Sequence, residues 1–339
     1  MNAPPRICVF GAGSIGCYVG GRLQAAGVAV QFIGRPRLAA ELDRHGLHLT
    51  DLHGADLRVS RTALHFVTTP DAAADADLVL VTVKSAGTAE AGRELAAVLR
   101  PDAVVVSFQN GIGNAEVLRQ ALLRHTVLDG MVPFNVLNRG CGSFHQGSEG
   151  HLAATDHPAL RACRSLFDLA GLPLDLHADM LSVQWAKLLL NLNNPVNALS
   201  DKPLKEQLSQ RDYRRCVVLA QREALGLLDA AQIRPAKLTP LPPHWIPFML
   251  GLPDAVFRRA ANKMLEIDPL ARSSMWEDLQ AGRTTEVDWI NGEVLRLAER
   301  LGRKAPVNAK LLALIREAEK GGRREWSGEA LLSELRAVS

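Results

Sequence analysis

The sequence predicts an α/β domain built on a parallel sheet, followed by an all-α domain. Three observations lead there. Short, nearly continuous apolar runs alternate with helical stretches early in the chain. A glycine-rich turn follows directly on the first of those runs. From about Ala178 strand-like runs vanish and helical periodicity continues to the end. The expected domains are therefore 1–178 and 179–339.

Taken in order, RICVF at Arg6–Phe10 reads as a strand and Ser14–Ala26 as a helix. VAVQFI at Val28–Ile33 reads as a second strand. LVLVTV at Leu78–Val83 and AVVVS at Ala103–Ser107 are apolar at almost every position. Runs of that kind suit strands covered on both faces, as in a parallel sheet. Ala89–Leu99 between them is the crossover helix, which makes the unit βαβ. Gly140–Ala154 is glycine-rich and hairpin-like, followed by a helix near Ala159–Ala170 and a short strand near Leu174–Leu176. Asp229–Pro269 carries seven prolines and reads as an irregular excursion with short helices.

Composition excludes several classes of function. Of 339 residues, 47% are hydrophobic and 22% charged, enough apolar material for real cores. The net charge of +3 comes without a basic run, so the arginines read as solvated exterior and nucleic-acid binding is not expected. Five cysteines, an odd count with no CxxC, read as small buried hydrophobes in a reducing compartment. The ten histidines show no metal-ligand spacing, so no metal is expected. The first strand begins too early to leave room for a signal peptide. The longest apolar run, around LLLNLNNPVNAL, is interrupted by amides and a proline and is no membrane span. A cytoplasmic protein is the expectation, and its apolar helical domain is compatible with a homodimer.

The glycine-rich turn reads Gly11-Ala12-Gly13-Ser14-Ile15-Gly16. Alone, G-x-G-x-x-G is a weak signal. Here it joins a strand to a helix, the context in which it binds a dinucleotide and marks a Rossmann-type domain. Gly11 permits the tight turn, Gly13 lets backbone approach the pyrophosphate, and Gly16 lets helix and strand pack closely. The helix N-terminus offers free N–H groups to the phosphates. At the end of the second strand, where NAD sites carry Asp or Glu, this chain has Gly34-Arg35-Pro36-Arg37. A guanidinium pairs with a ribose 2′-phosphate that a carboxylate would repel, which points to NADPH. Lys84, just past LVLVTV, is placed to reach the same phosphate. Both residues also read as ordinary solvated loop charges. Gln109-Asn110-Gly111 ends the strand AVVVS, where a side-chain amide can bond cofactor or substrate, or simply make a turn.

In the second domain Leu181–Leu199 reads as a helix. Leu188, Leu192 and Leu199 fall on one side of it, and Lys187, Asn191 and Asn194 make a polar stripe on another. Asparagine forms helices poorly and buried amides need partners, so this stripe serves either a polar ligand or an internal hydrogen-bond network. Pro195 is placed to kink the helix and free a carbonyl. An ammonium such as Lys187 can stabilise the oxygen of a ketone receiving hydride and then protonate it. Further on, Ser274-x-x-Glu277 fits a capping box as well as it fits a ligand site. By pattern alone Glu286 is a solvent-facing helix charge.

These residues resemble one family, ketopantoate reductase (2-dehydropantoate 2-reductase), over essentially the whole chain. The carrying blocks are GAGSIG, VTVK ending at Lys84, QNG at 109–111, WAKLLLN at 185–191 and SSMWEDLQAGRTTEVDWING at 273–292. The resemblance implies a Rossmann domain plus a 6-phosphogluconate-dehydrogenase-like helical domain, NADPH as donor and 2-dehydropantoate as acceptor. The product would be (R)-pantoate, a precursor of pantothenate and coenzyme A. It implies Lys187 as general acid and Glu286 as the acid that contacts substrate. It further implies Asn110 near the nicotinamide, Asn191 and Ser274 as substrate ligands, and Arg35 and Lys84 on the 2′-phosphate. The family usually has a second substrate Asn four residues beyond the first. That position is Pro195 here, with Asn194 one residue earlier to take its place. A paralogous reductase of another small 2-keto acid, or a non-catalytic NADP(H)-binding regulator, are the alternative readings.

Overall fold

A computed structural model describes residues 5–260 and 271–339. The chain divides into two compact units, Met1–Met180 and Leu181–Ser339.

The first unit opens with β1 (Ile7–Phe10), α1 (Ser14–Ala25), β2 (Val30–Ile33) and α2 (Pro36–His45). Then come β3 (Leu47–Thr50), β4 (Asp56–Val59), β5 (His65–Val67), β6 (Leu78–Val81), α3 (Thr88–Val98), β7 (Val104–Ser107) and α4 (Asn114–Ala121). It closes with β8 (Thr126–Met131), β9 (Val136–Gly140), β10 (Ser143–Gln146), β11 (Leu152–Thr155), α5 (Pro158–Leu169) and β12 (Leu174–His177). Eight of these strands form one sheet in the order β12-β11-β8-β7-β6-β1-β2-β5. From β5 through β8 every pairing is parallel. Counted within that sheet, the order from the β5 edge is third, second, first, fourth, fifth, sixth, the doubly wound Rossmann arrangement with its switch point between β1 and β6.

The apolar runs are explained by two cores. Ile7, Val9, Leu78, Leu80, Val104 and Val106 face one, beneath α1 and α5. Cys8, Phe10, Val79, Val81 and Val105 face the other, beneath α3 and α4. Alternate residues enter opposite faces, and both faces are covered, so β1 and β6 are apolar at every position.

A second sheet, β4-β3-β10-β9, was not visible in the sequence. Its strands β9 and β10 supply the expected hairpin, turning at Cys141-Gly142 with φ of +51° and +70°. Positive φ at both central residues suits the right-handed twist of the flanking strands. The rest of the glycine-rich stretch does something else, since β11 leaves the hairpin and pairs antiparallel with β8 in the large sheet. Cys141 also departs from the expected cysteine burial. It is exposed, whereas Cys8, Cys17, Cys163 and Cys216 are buried, and burial pushes the Cys8 and Cys216 thiols up to about 12.

Among the described residues of the second unit, every regular element is helical. It contains α6 (Met180–Asn191), α7 (Asn193–Ser200), α8 (Leu204–Ser209), α9 (Arg211–Ala230), α10 (Ile246–Gly251) and α11 (Asp254–Ala260). After the undescribed stretch come α12 (Ser274–Gln280), α13 (Val287–Arg300), α14 (Pro306–Glu319) and α15 (Gly328–Arg336). The long α9 is the spine against which α7, α10, α13, α14 and α15 pack. Its buried Arg214 donates to the carbonyls of Leu208, Leu250 and Leu252 and to Asp254, and its guanidinium lies 4.0 Å from the Phe257 ring centre. That one side chain pins α10 and α11 of the proline-rich excursion. The end of the excursion, including Pro269, lies outside the described residues. No described helix is long and apolar enough to cross a membrane.

Candidate functional site

The parallel register brings the C-terminal ends of β2, β1, β6 and β7 to one edge of the sheet, so the loops carrying Gly11–Gly16, Arg35, Lys84 and Asn110 open there together. Gly11 has φ +92°, and a Cβ on it would lie 2.6 Å from the Val83 nitrogen. Its N–H and that of Ala12 donate to the Ile33 carbonyl at 2.9 and 2.8 Å, and the Gly11 carbonyl accepts from Thr82 Oγ1 at 2.9 Å. A Cβ on Gly16 would meet Thr82 Oγ1 at 2.5 Å and Val9 Cγ1 at 2.8 Å. Gly13 differs. It is exposed, and the nearest atom to its Cβ position is the Gly11 carbonyl oxygen at 3.9 Å. Nothing inside the protein requires glycine at 13, and its open side adjoins the start of α1 at Ser14 and Ile15. The first turn of α1 contains no acidic residue. A bare helix N-terminus of this kind suits a phosphate group.

Arg35 is exposed just past β2 and occupies the N-cap position of α2. Lys84 is exposed just past β6, ahead of a short 3-10 turn at Ser85–Gly87. Neither loop places a carboxylate where a ribose 2′-phosphate would sit in a dinucleotide fold. Asn110 is half-buried beyond β7. Its neighbour Gln109, considered in the sequence as another ligand-binding amide, is committed internally. The Gln109 amide accepts from Ser107 and donates to the Val83 carbonyl at 3.1 Å and to Thr88 Oγ1 at 2.7 Å.

In the second unit Lys187 and Asn191 share a face of α6. Burial lowers the Lys187 amine from its ordinary value of 10.5 to about 8. The single helix expected over Leu181–Leu199 is instead two, broken at Leu192. Pro195 thus falls in the first turn of α7, where no N–H would find a helical partner anyway, so it starts a helix instead of kinking one. Asn194 sits on that first turn. Leu188, Leu192 and Leu199 are buried, as their shared side requires.

The capping assignment also shifts by one residue. Ser273, not Ser274, is the N-cap of α12, its hydroxyl accepting from the Trp276 N–H at 3.2 Å. Ser274 is the first helical residue, and no capping box runs from it to Glu277. Ser273 Oγ also reaches the Asn194 carbonyl at 3.4 Å, so α7 and α12 bring Asn194 and Ser274 into one neighbourhood. The fixing residue there is one that sequence reasoning passed over. Asn197 is fully buried, accepts the Ser273 N–H at 2.9 Å and donates to the Lys202 carbonyl at 2.9 Å. Its signal in the sequence is that it continues the run of asparagines at 191, 193 and 194. Glu286 is half-buried at the N-cap of α13, not on the exposed flank of a helix. A carboxylate there is favoured by the helix dipole. No group of three or more His, Cys, Asp or Glu among the described residues could hold a metal.

Two family profiles match the chain. "Ketopantoate reductase PanE/ApbA" covers residues 7–158 and "Ketopantoate reductase PanE/ApbA C terminal" covers 179–319. Among curated relatives, a 2-dehydropantoate 2-reductase of Archaeoglobus fulgidus is 29% identical, over 93% of this chain and 98% of its own. Among solved structures, a PanE/ApbA family ketopantoate reductase of Ralstonia eutropha superposes with a TM-score of 0.79 at 28% identity, covering 93% of this chain and 99% of that one. A D-mandelate dehydrogenase, solved with NADH and anilino(oxo)acetate, shares the fold with a TM-score of 0.77 at 19% identity, covering 93% and 99%.

Proposed function

The chain belongs to the ketopantoate reductase family of oxidoreductases acting on CH–OH donors, and on that premise we propose that it reduces 2-dehydropantoate to (R)-pantoate with NADPH. The proposed setting is cytoplasmic pantothenate synthesis. The observation that carries the reading is Lys187, an amine on α6 whose proton affinity burial has brought to about 8. Such a group is mostly protonated at neutral pH and still releases its proton readily, as a general acid must.

The residues of the first unit fit a phosphorylated dinucleotide. Gly13, Ser14 and Ile15 would hold the pyrophosphate against the start of α1, with Gly11 and Gly16 fixing the turn beneath it. Arg35 and Lys84 would take the 2′-phosphate, and Asn110 would lie beside the nicotinamide. The bound cofactor supplies hydride to the carbonyl carbon of the keto acid. Lys187 Nζ first attracts the carbonyl oxygen, then donates a proton to the alkoxide that forms, so hydride and proton together give the hydroxyl. Asn191, Asn194 and Ser274 orient the substrate by hydrogen bonds, with Ser274 on its carboxylate, and Glu286 positions the reacting oxygen.

A second reading keeps the mechanism and changes the acceptor to another small 2-keto acid. Pro195 favours it, because an amide is the usual occupant of that position. Turnover of 2-dehydropantoate beside a panel of 2-keto acids, each with NADPH and NADH, separates the two. Fastest turnover of 2-dehydropantoate with NADPH supports the first reading. A faster alternative acid moves the chain to the second, and no turnover of any acid despite NADPH binding overturns both.

A further inference from the structure

We propose that Asn114 is a positioning residue for the cofactor, locking together the two loops that deliver Lys84 and Asn110; the inference rests on the NADPH reading above. Asn114 is the first residue of α4 and is buried. Its Nδ2 donates to the Asn110 carbonyl at 2.7 Å and to Ser85 Oγ at 3.3 Å. Its Oδ1 accepts from Thr88 Oγ1 at 2.8 Å. Ser85 Oγ donates to the same Asn110 carbonyl at 3.0 Å, and the single Thr88 hydroxyl proton is shared between Asn114 Oδ1 and the Ser85 carbonyl, 2.9 Å from Thr88 Oγ1. Gln109 closes the ring through Thr88 and Val83.

The loop after β6 and the loop after β7 are thus one hydrogen-bonded piece, bridged by Ser85 and Gln109, and Asn114 adds a tie to both from the start of α4. Lys84 precedes Ser85 directly, and Asn110 contributes its carbonyl to the same knot, so the backbone next to Lys84 and at Asn110 is tied to Asn114. Backbone at Gly111 and Gly113 sits at φ +82° and +85°, a conformation that leaves that loop little intrinsic preference for its observed course. The buried amides and hydroxyls supply the preference. A network in which each member satisfies the next makes such a loop stiff, and removing a member that bonds to both sides loosens them together.

The isosteric variant Asn114→Asp is the test, with the full chain at a temperature well below its melting midpoint. A carboxylate keeps the acceptor toward Thr88 but turns the donor facing the Asn110 carbonyl into a second acceptor. Dissociation constants for NADPH and NADH are measured by cofactor fluorescence. Binding of NADPH should weaken by roughly tenfold or more, and NADH by clearly less, because Lys84 serves only the 2′-phosphate. The ratio of the two constants therefore narrows, which a loss of general stability would not produce. Unchanged constants, or equal weakening of both, overturn the proposal. Should Asn114→Asp fail to fold, Ser85→Ala is read instead. It removes one strand of the knot, and the same narrowing is expected in smaller measure, with an unchanged ratio counting against the proposal. If the wild type binds neither dinucleotide, the cofactor reading falls and this one with it. If the wild type prefers NADPH and the variants match it, only this inference falls.

Discussion

Replacing Lys187 by methionine should make the protein more stable and all but inactive. Methionine keeps a long unbranched stem and removes the charge. Burial draws the amine from 10.5 to about 8, roughly 2.5 on the pH scale, or about 3.4 kcal/mol at 1.36 kcal/mol per pH unit. The side chain is half-buried, so solvent screening takes part of that figure, and a gain of about 1–3 kcal/mol is expected at pH 7. Below pH 8 the amine is charged both folded and unfolded, and the whole burial cost weighs on the folded state. Between 8 and 10.5 folding displaces the proton, and above 10.5 the amine is neutral in both states. Wild type and Lys187→Met should therefore differ most below pH 8 and converge as the pH rises toward 10.5. Scanning calorimetry of both proteins at pH 7 and at pH 9.5 reads this directly, at about 2–4 °C per kcal/mol for a unit of this size. A variant less stable than wild type at pH 7, or a gap that ignores pH, would refute the reasoning.

Three further outcomes follow from the first unit and from α6. Gly13→Ala should leave the melting temperature within about a degree or two of wild type and weaken NADPH binding, since its Cβ would meet no protein atom closer than 3.9 Å. Gly16→Ala should cost about 1–3 kcal/mol of stability in the same melts, because its Cβ would lie 2.5 Å from Thr82 Oγ1. In the pH profile of kcat/KM, activity should be full below about pH 8 and fall above it, as Lys187 loses the proton it must donate. A profile flat from pH 7 to 10 counts against that role.

Much of this was legible in the sequence, and the failures have physical reasons. The βαβ core was readable because strands buried on two faces leave continuous apolar runs, and the dinucleotide turn because its context was visible on both sides. The small sheet was not readable. β3 and β4 alternate polar and apolar residues over only four positions each, and β3 pairs in parallel with β10, which lies far along the chain. Non-local pairing of short half-exposed strands leaves almost no local pattern. The α6–α7 break was hidden because both helices bury leucines on one continuous side, while the break itself depends on where Pro195 falls in the first turn. The cap of α12 depended on which of two adjacent serines turns its hydroxyl inward, a choice made by Asn197 from another helix. Gln109 and Asn114 could not be told from ligand-binding amides by sequence, because their partners lie in a neighbouring loop.

The most direct measurement is the loss of NADPH absorbance at 340 nm with 2-dehydropantoate, run side by side on wild type and Lys187→Ala. The account predicts rapid oxidation by wild type, little with NADH, and a kcat lower by roughly 10²-fold or more in a variant that still binds NADPH. Equal rates for the two proteins, or no oxidation by wild type with any 2-keto acid, would contradict it.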